Sequence, residues 1–431
     1  MYAHGVSHYK GFWRNGHFYA NNHPIRPVVL LLYPTSKNQP AGIKCRMQTT
    51  IDAPATHPTT EQSLFNATPP TSVLSVSVIV PVRNEAHHLD QALDALRHQC
   101  HADGQPLDPA TYEVLLLANN CTDQSYTVAR QYQQRHPAFP LHIAQIQLPP
   151  VKANIGTVRR LLMDEACRRL MSINKPRGII ASTDGDTVAD RHWLHFIELE
   201  ISGGNDAVGG RILTRPDGSQ VRLYHLRDVL YRTLIAQAEA VLDPRPHDPW
   251  PRHFQHFGAS IAVTCQMYQQ AGGLPEKPYL EDEAFYKALL RTDAKVRQSP
   301  YVKVFTSTRM EGRVGIGFSE QLRYWSKMVR LSKGQVAEPA EAVILKFRSR
   351  QRLRTYWNAR NQAGHVDALL PVAADLLLDP EWLNRMVQKS LFFGQLWEQV
   401  EKKMTTGDWA RKWKPVPITT GIQAMRAFLR E

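Results

Sequence analysis

The stretch VSVIVPVRNEAHHLDQALDAL, residues 76–96, decides the fold. Residues 74–81 alternate and then run continuously β-branched, the pattern of a strand buried on both faces, and an amphipathic helix is expected from His87 to about His98. The same rhythm returns downstream. Residues 112–118 (YEVLLLA) read as a second buried strand, residues 123–135 as a second helix, and VRRLLMDEACRRL after Gly156 as a third. A further strand, residues 178–182, ends in the acidic turn Asp184-Gly185-Asp186. Strands alternating with helices of ~10–15 residues predict βαβ units and an α/β domain with an open, mostly parallel sheet. Ligands of such sheets lie outside the carboxyl ends of the strands. The unusual polar residues fall there: Arg83-Asn84-Glu85 after the first strand, Asn119-Asn120 after the second, and Asp184 and Asp186 after the later one.

Outward from this centre the chain divides into three. Thr, Pro, Ser, Asn and Gln crowd residues 48–72, a composition that buries too little apolar surface to offset its ordering entropy, so residues 1–72 are expected to be a disordered extension, with Met47 as the expected biological start. Residues 73–317 form the expected α/β domain. Residues 318–431 turn helical and basic, with apolar residues at three- and four-residue spacing and breaks at Pro371 and Pro380.

The whole chain of 431 residues carries 52 Lys+Arg against 39 Asp+Glu, a formal net charge of +13. That excess sits at the ends. Residues 73–320 hold 27 basic and 27 acidic residues, which argues against nucleic acid as the substrate of the central domain. Five cysteines without a CxxC pair argue against a disulfide framework or a thiolate zinc knuckle and point to a reducing, cytoplasmic home. No run approaches the ~18–20 apolar residues that span a bilayer, and the N-terminus does not have the pattern of a signal peptide.

Asp184-Gly185-Asp186 is the sharpest chemical feature. Two carboxylates one small residue apart, at the end of an apolar strand, can share a hard divalent cation and leave positions open for phosphate oxygens. The same tripeptide also suits an acidic turn before a helix, and the residues alone leave both readings open. Its companions add an order. VSVIVPVRNEAHHLDQALDAL, EVLLLANNCTDQS, ANIGTVRRLLMDEA, STDGDT and GASIAVTCQMYQQAGGLPEKPYLEDEAF follow one another along residues 73–317. In these five landmarks and their sequence the chain resembles the family 2 glycosyltransferases of the GT-A fold, soluble bacterial branch.

The resemblance implies transfer of a single hexosyl unit from a nucleoside-diphosphate sugar to a hydroxyl acceptor, with inversion and with Mn or Mg as cofactor. Pro81, Glu85 and Asn119 would line the pocket for base and ribose, with Arg83 in the same turn and Arg159 at the nucleotide-binding arginine. Asp184 would lie near ribose and metal, Asp186 would be the principal metal ligand, and Asp282, beside Glu281, would be the general base. Two departures stand out. The family's acidic loop reads here Ala118-Asn119-Asn120-Cys121-Thr122-Asp123, which leaves uridine or guanosine diphosphate as the expected donor nucleotide, and the metal-binding histidine common after the strand at 301–305 is replaced by Thr306-Ser307-Thr308-Arg309. Arg309 and Arg313 would then carry part of the diphosphate charge through bidentate contacts, or pair on the surface with Glu311 and Glu320.

The loop LDPRPHDPWPRHFQH, residues 242–256, is expected over the site. Trp250 would pack on sugar or acceptor, and Arg252 and His253 would contact phosphate or hydroxyl groups. His247, His253 and His256 are the alternative, a transition-metal set, although their spacing matches no zinc pattern. Gln321-Leu322-Arg323-Tyr324-Trp325 only approximates the Gln-x-x-Arg-Trp motif of processive synthases, which favours single-sugar transfer. The run Lys346-Phe347-Arg348-Ser349-Arg350-Gln351-Arg352-Leu353-Arg354 is either a solvated helix face or a surface for an acidic membrane or an anionic acceptor. Two other function classes stay in play: a nucleotidyltransferase, and a catalytically silent nucleotide-sugar-binding module that recruits a partner through its basic helices.

Overall fold

In the computed structural model, the described residues are 11–14, 17–20, 64–65, 68–214, 221–306, 318–360 and 368–430. Two compact units are present, Met1–Ser63 and Leu64–Glu431. Within the first, β1 (Gly11–Arg14) and β2 (His17–Ala20) form an antiparallel hairpin. The expected start at Met47, and most of the segment expected to be disordered, lie outside the described residues. The second unit begins upstream of the expected boundary at residue 73, because Phe65 is buried in the core and its carbonyl, with that of Thr68, accepts from Arg169.

The second unit opens with β3 (Val76–Val82), α1 (Leu89–Arg97), β4 (Tyr112–Asn119), α2 (Ser125–Arg135), β5 (Leu141–Ile146), α3 (Ile155–Ser172) and β6 (Ile179–Ser182). Then come β7 (Val188–Ala189), α4 (Trp193–Ser202), β8 (Ala207–Thr214), α5 (Val221–Leu242), β9 (Ile261–Thr264), α6 (Cys265–Gln270), α7 (Glu281–Arg291) and β10 (Val296–Thr306). Eight of these strands make one sheet in the order β5-β4-β3-β6-β9-β8-β10-β7. The pairs β5/β4, β4/β3, β3/β6 and β8/β10 are parallel, whereas β9 runs antiparallel to both its neighbours and β7 antiparallel to β10. This mixed, mostly parallel sheet with helices on both faces is the α/β arrangement that the strand–helix rhythm predicts; the reversed β9 has no signature in the hydrophobic pattern.

Alternation explains how β3 and β4 serve two cores. Val76, Val78, Val80 and Val82 join Val114, Leu116 and Ala118 on the face covered by α1, α2 and α4. Ile79, Leu115 and Leu117 face the other way, against Val158, Leu162, Met163 and Leu170 of α3. A strand buried on both sides has no polar face to expose, which is why these runs are almost purely apolar.

The C-terminal region contains α8 (Phe318–Arg330), β11 (Val336–Ala337), α9 (Ala340–Ala359), α10 (Leu369–Leu376), α11 (Pro380–Lys389), α12 (Phe393–Thr406), α13 (Asp408–Lys412), β12 (Val416–Pro417) and α14 (Ile418–Phe428). The basic run of α9 differs from both expectations for it. Arg350 pairs with Glu239 and Asp243 of α5 and the turn after it, Arg354 with Asp243, Lys346 with Glu338, and Arg352 with Asp375. Arg350 is only 6% exposed. Arg350 and Arg354 therefore form a seam between α9 and α5, Lys346 turns to Glu338 just before α9, and Arg348 and Arg352 are exposed. Burial alone would raise the pKa of Glu239, but Arg252 and Arg350 outweigh it and hold the carboxyl well below its ordinary range.

Candidate functional site

The site is assembled where β3, β4 and β6 end. Pro81 and Asn119 are buried at the last turns of β3 and β4, and Glu85 is 6% exposed with its amide donating to Ser125 Oγ at 2.8 Å. Asn84, at φ 57°, accepts from the Thr122 amide at 2.7 Å, so its side chain closes the turn after β3 onto the loop after β4. Asn120, at φ 47°, exchanges two hydrogen bonds with the backbone of Leu148. Asparagine tolerates this left-handed backbone and supplies both donor and acceptor. The exposed Arg83 donates to Ala153 carbonyl at 3.0 Å.

Arg159 is the hub. It projects from α3, whose start is capped by Asn154 and pressed so closely on the 275–280 turn that a Cβ at Gly156 would lie 1.8 Å from the Lys277 carbonyl oxygen. At 3% exposure Arg159 donates to Asp184 Oδ1 (2.9 Å), Glu281 Oε1 (3.2 Å), Ser182 Oγ (2.6 Å) and Gly258 carbonyl (2.7 Å). Gly258 in turn donates its amide to Asp282 Oδ2 at 2.8 Å, and Glu283 donates its amide to Asp282 Oδ1 at 2.7 Å. A single buried guanidinium thus joins the aspartate after β6 to the acidic first turn of α7. The turn itself is strained: Leu280, immediately before α7, holds φ 56°. A non-glycine residue there costs of order 1–3 kcal/mol, a cost concentrated at functional sites.

Electrostatics follow from this burial. Burial weakens the protonated form of Arg159, yet Asp184, Glu281 and Asp282 more than offset it and hold its pKa above the ordinary value. Glu281 is pushed up to about 7, first by burial and then by the neighbouring charge of Asp282, against the pull of Arg159. Burial contributes the larger share for a group 4% exposed.

Asp184 and Asp186 are both partly exposed and one residue apart, with Gly185 between them buried. Asp184 also accepts Thr187 amide on its carbonyl, which tightens the turn. Two partly exposed carboxylates on one turn are the donor chemistry of a hard cation. No group of three or more His, Cys, Asp or Glu suited to a metal occurs among the described residues, so phosphate oxygens and water would have to complete the coordination. Arg309 and Arg313 lie outside the described residues.

The 242–256 loop corrects the expectation for Arg252 and His253. Both are 7% exposed. Arg252 bonds to Asp248 Oδ2, Glu239 and the Ala236 carbonyl, so its donors are engaged inward. His253 donates Nε2–H to Gly209 carbonyl at 3.0 Å and accepts the Gln255 amide on Nδ1 at 3.0 Å; burial first of all pushes its pKa down to about 3, a neutral ring locked to β8. His247 is pushed down to about 4 by burial and then by Arg245, and His256 turns to Glu283, so the three histidines do not converge on a metal. Trp250 is 44% exposed and keeps an accessible ring. Ser182 and Gly258 carry no motif of their own in the sequence; position before the acidic turn, and the glycine opening GASIAV, are the available signals.

Residues 77–250 match the family model described as Glycosyl transferase family 2. Glycosyltransferase AglE of Haloferax volcanii is 31% identical over 146 residues, which cover 33% of this chain and 41% of that protein. The match therefore spans less than half the length of that curated relative. Among solved structures, the mannosyltransferase PcManGT from Pyrobaculum calidifontis, in complex with GDP-Man and Mn2+, shares 16% identity at a TM-score of 0.40, covering 83% of this chain and 86% of that one. S. aureus TarS 1-349 in complex with UDP-GlcNAc shares 15% identity at a TM-score of 0.40, covering 78% and 92%.

Proposed function

We propose that the protein, whose residues 77–250 match the Glycosyl transferase family 2 model, is a glycosyltransferase that moves one hexosyl unit from a nucleoside-diphosphate sugar to a hydroxyl acceptor, inverting the anomeric centre. The observation that carries this reading is the Arg159 hub, which gathers Asp184, Glu281 and, through Gly258, Asp282 at the carboxyl ends of the strands. Donor and acceptor chemistry need this proximity.

In this reading Asp282 takes the proton of the acceptor hydroxyl as it attacks the anomeric carbon, and the bond to the diphosphate breaks. Its carboxylate is aimed by two backbone amides, those of Gly258 and Glu283, which fix its direction beside the Arg159 guanidinium. Asp186, with Asp184, would hold Mn or Mg, which when bound supplies charge for the departing diphosphate. Pro81, Glu85 and Asn119 would bound the nucleotide pocket, with Arg83 at its rim, and the uridine or guanosine diphosphate expectation is kept. Arg159 acts from beneath as the strut of both halves, and Trp250 is the expected acceptor-side aromatic. Arg309 and Arg313 remain proposed phosphate contacts. Residues 73–317 would be the catalytic domain and 318–431 its helical buttress, in a protein proposed to work in the cytoplasm; no described helix is long and apolar enough to cross a membrane.

A thermal-shift screen of UDP- and GDP-sugars with and without Mn2+ tests the proposal: a donor at ~100 times its dissociation constant adds about 2.7 kcal/mol. A metal-dependent shift followed by release of nucleoside diphosphate supports a transferase. Release of pyrophosphate instead would identify a nucleotidyltransferase, and a shift without turnover on any hydroxyl acceptor would identify the silent binding module.

A further inference from the structure

Residues 252–258 have little regular structure, yet they are pinned on alternate sides. His253 and Gln255 bond to β8, the latter by exchanging two bonds with Ile212. His256 and Gly258 bond to α7 instead. His256 Nε2 donates to Glu283 Oε2 at 2.6 Å, and Gly258 amide donates to Asp282 Oδ2 at 2.8 Å. The imidazole also lies flat on Tyr286, one turn further along α7, with ring centroids 4.1 Å apart and planes within 9°. Glu283 is 8% exposed and meets Lys287 at 3.2 Å as well as the imidazole. An acid this buried, held by two partners, is more than a helix-dipole ornament at the N-terminus of α7.

The geometry has one consequence for Asp282. Its Oδ1 is held by its own helix through Glu283 amide, so the direction of the other oxygen depends on where the loop places Gly258. Two residues before Gly258, His256 is the side chain that clamps this loop to α7.

We propose that His256 is a positioning residue: by holding Glu283 and stacking on Tyr286 it fixes the 256–258 loop on α7 and thereby aims the Asp282 carboxylate at the acceptor hydroxyl. This rests on the reading of Asp282 as the base. His256 touches neither donor nor acceptor in this account. Its loss should slow the chemical step and leave donor binding alone.

The test uses the full chain with its donor sugar and compares His256→Ala, His256→Gln and Asp282→Asn with wild type, with circular dichroism and thermal midpoints as fold controls. His256→Ala should lower kcat about 10–100-fold, the range that a displacement near 1 Å in a reacting group produces, while KM for the donor and Kd for the nucleoside diphosphate stay within about twofold. His256→Gln, whose amide N–H can still reach Glu283, should recover a substantial part of kcat. An unchanged kcat in His256→Ala, a parallel loss of donor affinity and kcat, or a Gln variant no better than Ala would each overturn the proposal. Asp282→Asn separates the two levels. If it turns over like wild type, the base assignment fails and this inference with it; if it is inactive while His256→Ala is normal, only the inference fails.

Discussion

Arg159→Met probes the hub with little change in side-chain volume. The substitution removes one charge and four hydrogen bonds, and leaves Asp184 and Glu281 without the cation that faces them at 2.9 and 3.2 Å. Removing one partner of a buried ion pair costs about 3–5 kcal/mol. Asp184 is 34% exposed, so solvent screens its share and the lower end, about 3 kcal/mol, is expected at pH 7. Against a total stability of ~5–15 kcal/mol this is severe, so Arg159→Lys runs beside it. Lysine keeps the charge but not the fork, and a loss of about 1–2 kcal/mol is expected. Urea denaturation at pH 7 and pH 5 is the assay. The sign with pH follows from Glu281, whose pKa is already raised to about 7 and which Arg159 pulls down. Without Arg159 it rises further, so the folded variant holds its proton more tightly than the unfolded chain does. The penalty is then largest above neutrality and shrinks as pH falls. A Met variant within about 0.5 kcal/mol of wild type at pH 7, the usual range for inconsequential surface changes, would refute the hub, as would a penalty that grows on acidification.

Gly258→Ala would place a Cβ 2.5 Å from Arg159 Cζ, against a guanidinium pinned by four bonds; overpacking of about 1–3 kcal/mol and a loss of turnover larger than the loss of stability implies are expected from denaturation and steady-state kinetics. Glu281→Gln should flatten stability against pH, because the wild-type carboxyl, raised from 4.5 to about 7, favours the folded state below 4.5 and loses that advantage as pH rises to 7; denaturation midpoints of metal-free protein across this range measure it. Arg350→Met should cost about 1.5–3 kcal/mol, since it removes one hydrogen-bonded cation from Glu239 and from the 1%-exposed Asp243, which keep Arg252 and Arg354, and a midpoint shift near zero would show the seam to be solvated.

Much of this arrangement was legible before folding. The apolar runs at 74–81 and 112–118 are long because β3 and β4 are covered on both faces, and the acidic turn at 184–186 stands out because it follows such a run. The basic run on α9 was misleading for a definite reason. Its acidic partners, Glu239 and Asp243, lie 111 and 107 residues from Arg350, on a helix that periodicity alone does not place against it. For Arg252 and His253 the reason is different: polar residues in a proline-rich loop suggest ligand contacts, but they turn inward to Asp248 of the same loop, Glu239 of α5 and Gly209 of β8. The reversal of β9 was likewise hidden, since an apolar run carries no direction. Composition and period report burial well; they report the partner of a buried charge poorly.

Everything proposed for the site depends on Asp282 as the base that activates an acceptor beside a donor half held by Asp184 and Asp186. The most direct measurement is nucleoside-diphosphate release from a bound sugar donor by wild type, Asp282→Asn and Asp186→Ala, alongside donor affinity for each. Asp282→Asn should bind the donor as wild type does but lose nearly all acceptor-dependent release, and Asp186→Ala should lose the metal-dependent part of donor binding. Wild-type turnover in Asp282→Asn, or metal-dependent donor binding unchanged in Asp186→Ala, would contradict these roles.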